Sequence, residues 1–248
     1  MRVLWTVALS AAMLVSCADS DKGGAVLPEF SPQHFEYKDE GADIDIVCQR
    51  INDVSANPAW ERIDLENCIR TLPHIAADTI VTAEDVETAV ARFIEEYCGE
   101  AERYGVEHTY QLKQEVLFAR QNEVVCFQTE IYTNTGGVHG SEQLIFDCYD
   151  LNSGSAYDFG YLLDSEAEWG EAMSTLLQSK LVEQYPDVEF DLAVADMYMP
   201  ESVLISDTGL LLVYQPYEIA PIDYVTVELT DEDISATGAP LVWSDSEE

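Results

Sequence analysis

Ile131-Tyr132-Thr133-Asn134-Thr135-Gly136-Gly137-Val138-His139-Gly140 decides how this chain is read. It joins two strand-like runs, Glu123 to Thr133 and Ser141 to Leu151, and Gly136 and Gly137 are free to take the positive φ angles that a tight reversal demands. The flanks alternate, so the stretch is the turn of a β-hairpin. Counting by twos puts Val125, Phe127 and Ile131 on one face of the first strand, and Leu144, Phe146 and Cys148 on one face of the second. Those two rows are expected to meet in one core. A third run, Tyr110 to Ala119, precedes them across the short link Arg120-Gln121-Asn122, which gives an antiparallel meander.

Before the meander, Thr82 and Asp85 have capping-box spacing, and Val86, Ala89, Val90, Phe93, Ile94 and Tyr97 recur at helical period, with Gly99 placed to close the helix. Ile44 to Cys48 alternates like a strand, and Trp60 to Leu72 is an imperfect helix stopped by Pro73. After the meander comes Asp150-Leu151-Asn152-Ser153-Gly154, a turn sequence that lacks the full oxygen set and closing glutamate of a calcium loop. Ser165 to Glu168 has capping-box form, and Trp169, Ala172, Met173, Leu176, Leu177 and Leu181 make the apolar stripe of a second long helix that Pro186 ends. Leu210 to Gln215 and Val225 to Leu229 read as strands. Between them the two prolines of Gln215-Pro216-Tyr217-Glu218-Ile219-Ala220-Pro221 force a loop outward. The sum is an α+β fold, an antiparallel sheet packed against helices, with a smaller strand-helix region in front.

The first residues carry a different message. Arg2 and the apolar run Val3 to Val15 end in Leu14-Val15-Ser16-Cys17, a lipobox too short for a spanning helix. Residues 1–16 therefore read as a lipoprotein signal peptide, Cys17 as the lipidation site, and residues 17–34 as a polar, flexible tether. The expected address is the bacterial cell envelope, on the periplasmic or the surface-facing side of the outer membrane, with the lipid anchor as the membrane contact. Residues 35–109 form the strand-helix region, 110–234 the main domain, and 235–248 an acidic tail.

Charge narrows the partners. With 48 acidic against 11 basic residues the formal net charge is −37. Such a field repels phosphate backbones, which excludes nucleic acid, and draws in cations and basic proteins.

Three ordered stretches resemble a known family. Y-T-N-T-G-G-V-H-G, the strand Phe146-Asp147 running into Asp150-Leu151-Asn152-Ser153-Gly154, and Asp207-Thr208-Gly209-Leu210 followed by Q-P-Y-E-I-A-P are similar to the signatures of the extracytoplasmic domain of RsiV-type anti-sigma factors. That domain of unknown function is also found beside PdaC-type peptidoglycan deacetylase domains. The resemblance covers roughly Tyr110 to Ile234. It implies a module of α+β type whose antiparallel sheet packs against helices, most such domains having no assigned activity. In the anti-sigma factors the domain is similar to a receptor for lysozyme, a cationic enzyme. This chain departs from the pattern at Ile222-Asp223-Tyr224-Val225 and has no sigma-binding segment. An anti-sigma role is excluded on that ground.

A catalytic reading starts from His139 as base with Asp147 or Glu142 as orienting carboxylate, and makes the protein a cell-wall glycan-processing enzyme of deacetylase or hydrolase type. No nucleophile motif accompanies them. The four histidines, His34, His74, His108 and His139, lack zinc-ligand spacing, and no cofactor or metal is expected. His139 is then a structural residue whose ring bonds the turn backbone. A third reading is a calcium-stabilised envelope subunit.

With Cys17 lipidated, Cys48, Cys68, Cys98, Cys126 and Cys148 remain in an oxidising compartment. Symmetry of the turn about Gly137 sets Cys126 opposite Cys148, but the apolar rows put them on different faces, and Cys48 with Cys68 is the preferred pair. The expectation is a noncatalytic binding module for a basic protein or a cell-wall component. Contact is expected at Tyr132, Gly136, Gly137, His139, Gly140, Tyr217 and Glu218.

Overall fold

The computed structural model describes residues 27–71, 82, 85–190, 193 and 196–243. The lipobox, Cys17, Pro73, His74 and residues 244–248 lie outside the described residues.

Five strands form the main sheet in chain order: β1 (Phe30–Lys38), β2 (Ala42–Ile51), β3 (His108–Ala119), β4 (Val124–Asn134) and β5 (Ser141–Asp150). The fold is α+β, and the expected meander is β3-β4-β5. One pair departs from the antiparallel rule. Helices α1 (Pro58–Thr71) and α2 (Val86–Tyr104) carry the chain from β2 across to β3, and such a crossover returns the chain in the same direction, so β2 and β3 pair in parallel. The strand-helix region and the main domain thus share one sheet, with no boundary between residues 109 and 110.

Helices α1 and α2 cover one face of this sheet. Ile44, Ile46, Tyr110, Leu112 and Ile131 meet Val86, Val90 and Phe93 of α2. Val125, Phe127, Tyr149 and Leu151 meet Trp60 and Ile63 of α1. The imperfect apolar pattern of α1 has a cause: its buried face includes Asp64, Asn67 and Thr71. Asp64 holds Arg50 through two carboxylate oxygens, and Asn67 and Thr71 bond the buried amide of Gln114 on β3. Every polar group brought inside by that face finds a partner, which makes the burial tolerable.

A second, antiparallel sheet of β6 (Ser202–Ser206), β7 (Gly209–Tyr214) and β8 (Val225–Thr230) lies on the opposite face of the main sheet, but only at the far end of β4 and β5. Its core combines Val124, Cys126 and Cys148 with Val203, Ile205, Leu212 and Val227, backed by α3 (Gly170–Gln184) and α4 (Asp231–Ala236). β4 is therefore buried on both faces at this end. That explains the misplaced rows: Val125 and Phe127 face the helices, whereas Cys148 packs in the core of the second sheet and Phe146, two residues before it, shares its side of β5.

The hairpin register settles the cysteines. Thr133 pairs with Ser141 and Cys126 with Cys148, symmetric about Gly137, and a disulfide joins Cys126 to Cys148 with 4.1 Å between their Cα atoms. Cys48 and Cys68 are unpaired and buried, so the preferred pairing is corrected.

Other boundaries shift as well. β1 begins at Phe30, inside the segment taken for tether; exposed along most of its length, it lacks the apolar alternation that marks an interior strand. α2 runs through Gly99 and closes at Gly105, which takes the left-handed conformation. Asp85 does reach back to the Thr82 amide at 2.7 Å. α3 starts at Gly170 rather than after Ser165, because Asp164 takes the Glu166 amide and holds a turn there. The capping box that forms is Thr230 with Asp233, opening α4. Trp243, within the segment assigned to the acidic tail, is buried, stacks on the Arg120 guanidinium at 5.2 Å and bonds Asp231.

Candidate functional site

The second sheet stops short of the hairpin turn, and the near end of the main sheet stays open on that face. There the alternate residues of four strands line a groove of about 770 Å³: Asp45 and Val47 of β2, Gln111 and Lys113 of β3, Glu130 and Tyr132 of β4, Glu142 and Leu144 of β5, with Tyr224 leaning in from the β7–β8 connection. Its charged lining is three carboxylates against one ammonium. Lys113 is itself engaged by Glu115 at 2.5 Å, and His34 Nε2 stands 2.7 Å from Asp45. Burial first, and then the charges of Glu142 and Glu130, push the Tyr224 hydroxyl up to about 12.

Of the motif residues, Tyr132 is the one in this groove. Gly140 is required there because a Cβ at that position would collide with the Tyr132 ring. Gly136 takes φ 84°, and its place is fixed by Val106, which a Cβ would meet at 2.6 Å. Gly137 has no positive φ, contrary to expectation. The glycines shape the hairpin and seat the tyrosine.

His139 is exposed at the tip, and among the described residues its ring makes no hydrogen bond, so the expected bond to the turn backbone is not formed. Asp147 lies roughly 20 Å down β5 from Ser141, at about 3.3 Å per residue. It faces the helix side, where it pairs with Arg70 at 3.4 Å. His139 and Asp147 are therefore not brought together. His108 is buried elsewhere, against Tyr97. Among the described residues no group of three or more His, Cys, Asp or Glu side chains is disposed to hold a metal ion. The Asp150 turn is closed by its own carboxylate, which accepts the amides of Asn152 and Ser153.

The Q-P-Y-E loop fastens beside the groove. Gln215 acts as a piece of strand: its Oε1 accepts the Leu144 amide at 3.0 Å and its Nε2 donates to the Leu144 carbonyl at 2.8 Å. Glu218, expected as a binding residue, closes the loop by accepting from the Gln215 amide and the Tyr198 hydroxyl. Tyr217 stands 74% exposed at φ 64°. Thus Tyr132 and the Gln215 loop converge on adjoining parts of β5, and Glu218 serves the loop.

Sequence reasoning missed Asp45, Gln111, Lys113 and Glu130, and saw in Tyr224 only a departure from a pattern. Their signal was the polar alternate set of four strands, which becomes meaningful only once the extent of the second sheet is known.

The architecture so built is a mixed five-stranded sheet with two helices on one face and a three-stranded sheet on part of the other. It is similar to the crystal structure of a DUF3298 member from Bacteroides fragilis, with a TM-score of 0.68 and 16% identity over 86% of this chain and 93% of that one. A DUF3298 protein from Pseudomonas aeruginosa matches with a TM-score of 0.55 and 17% identity over 88% of this chain and all of that one. These likenesses establish a DUF3298-type fold, that of a domain of unknown function. Comparison by sequence with family profiles and with curated proteins gives no match. Among the described residues no helix is long and apolar enough to cross a membrane.

Proposed function

We propose that this protein is a lipid-anchored, noncatalytic binding module of the bacterial envelope, tethered through Cys17, that grips a basic protein on the open end of its main sheet. The observation that carries the reading is the uncovered face itself: Asp45, Glu130 and Glu142 around two tyrosines, on a chain of net charge −37. A sheet face left uncovered beside a fully packed core suits a partner's surface, and carboxylates with aromatic side chains complement lysine and arginine. Lysozyme is the partner suggested by the resemblance to RsiV-type domains.

The test is titration of lysozyme, and of a panel of other basic proteins, against wild type and the variant Asp45→Asn/Glu130→Gln/Glu142→Gln at low and high salt. Three rim charges at about 0.5–1 kcal/mol each predict a loss of roughly 10- to 100-fold in Kd, with the wild-type affinity falling as salt rises. If no basic protein binds at low salt, or the variant binds as well as wild type, the reading is wrong. Replacing Cys17 with Ala is expected to release the chain from membranes, checked by fractionation.

A further inference from the structure

The open groove does not end at the β5 edge. Gln143 lines both the groove and a recess beneath Tyr198, and Ile145, Met199 and Glu201 line both that recess and a cleft of about 740 Å³ on the helix side. Tyr157, Asp158 and Phe159 form one wall of the cleft, and Arg70 and Asp147 sit within it. The groove, the recess and the cleft therefore adjoin one another around the edge strand.

Asp147 is the unusual residue in this cleft. Its side chain is only 10% exposed, yet among the described residues its one partner is Arg70, through a single long contact of 3.4 Å, and Arg70 is half exposed. One contact at that distance leaves most of a buried carboxylate's acceptor capacity unused. Beside it the Tyr149 hydroxyl, buried and within reach of the charges of Asp147, Arg70 and Glu66, has no hydrogen-bond partner among the described residues. Burial raises the Asp147 carboxyl above the ordinary carboxylate range despite the pull of Arg70.

We propose that this cleft is a subsite for one arginine side chain, whose guanidinium pairs with Asp147 while its flat face lies along the Tyr157 and Phe159 rings. Charge selects the sign of the ligand: Asp147, Asp158 and Glu201 outnumber Arg70, so an anion is repelled. Geometry selects guanidinium over ammonium, because a planar fork meets a carboxylate in two parallel bonds and stacks on aromatic faces. Tyr157 and Phe159 both line the cleft and lie nearly parallel, 19° apart, with their centroids 6.4 Å from each other. The inference rests on the reading of the open face as a seat for a basic protein, and gives that protein an anchoring residue.

The experiment uses the folded chain and N-acetyl-arginine amide as probe, with N-acetyl-lysine amide and N-acetyl-glutamine amide as controls, followed by amide chemical shifts. Saturable shifts are expected at Ile145 to Asp147 and Tyr157 to Gly160, at least threefold tighter for the arginine probe than for the lysine one and absent for glutamine. Asp147→Asn should weaken them at least 10-fold, and Glu201→Gln, at the rim, about threefold. The variant of Asp45, Glu130 and Glu142 should leave them unchanged. No saturable shift in this region, or equal shifts for all three probes, overturns the subsite. A basic protein that binds wild type and the Asp147→Asn variant equally overturns it too, while leaving the open-face reading intact. Probe binding without any protein binding removes the open-face reading and keeps the subsite.

Discussion

Arg120, Gln121 and Asn122, which link β3 to β4, all have positive φ, at 53°, 57° and 69°. Three successive left-handed L-residues are a local cost of roughly 1–2 kcal/mol each, least for the asparagine. The fold imposes them through Arg120. Its amide donates to Asp207 at 2.6 Å, and its guanidinium grips Asp231 with bonds of 2.5 and 2.8 Å while stacking on Trp243. Gln121 carries the strain without any such compensation, since it is exposed and its side chain holds nothing among the described residues. Gln121→Gly should relieve roughly 1–2 kcal/mol of strain and lose about 0.4–1 kcal/mol to the greater freedom of the unfolded chain. The net is a stabilisation of about 0.5–1 kcal/mol. For a urea m-value near 2 kcal/mol/M this raises the unfolding midpoint by about 0.3 M at constant m. Gln121→Ala keeps the β-carbon and should sit within about 0.5 kcal/mol of wild type. If glycine lowers the midpoint while alanine matches wild type, the strain argument fails.

Replacing both Cys126 and Cys148 with Ala opens a loop of sequence separation 22, and should cost about 3 kcal/mol by thermal or urea unfolding under non-reducing conditions. Gln114→Leu strands the buried polar groups of Asn67, Thr71 and Thr129, and should cost about 2–4 kcal/mol, with hydrogen exchange faster along α1 than along α3. Two carboxylates should give opposite pH slopes, measured as urea midpoints from about pH 2 to pH 7 for wild type, Asp147→Asn and Asp233→Asn. Burial, opposed by Arg70, raises the Asp147 carboxyl, so the folded state holds its proton more tightly; that contribution is full at low pH and lost as pH rises from the ordinary carboxylate range through the raised value. Asp233 is lowered, chiefly by its bond to Lys180, so its contribution is present above the ordinary range and lost as pH falls through the lowered value. Each substitution should flatten its own slope.

The hairpin was legible because its information is local: the glycine turn fixes the register, and the register fixes Cys126 opposite Cys148. The face assignment was not, since Val124, Val125, Cys126 and Phe127 are all buried and a strand covered on both sides has no alternation to count. β1 and β6 escaped notice for opposite reasons. β1 borders the sheet with little apolar patterning, and β6 is five residues set in an acidic passage. The motif glycines were visible, and the reasons for them were not. Gly154 backs onto the Ala59 carbonyl and Gly209 onto that of Leu229, contacts between segments far apart in the chain. The open groove was hidden in the same way, because its existence depends on how far a second sheet extends over the first.

The main sheet is finished at both borders. At β5 the Leu144 amide and carbonyl are taken by Gln215, and the Phe146 amide by Ser202, so an incoming strand finds no free backbone at these residues. At β1 the chain presents Pro32, which has no N–H, and the charged side chains of Glu36 and Lys38. Copies crowded at high local concentration therefore have little with which to zip together into fibres, and each can stay a separate molecule.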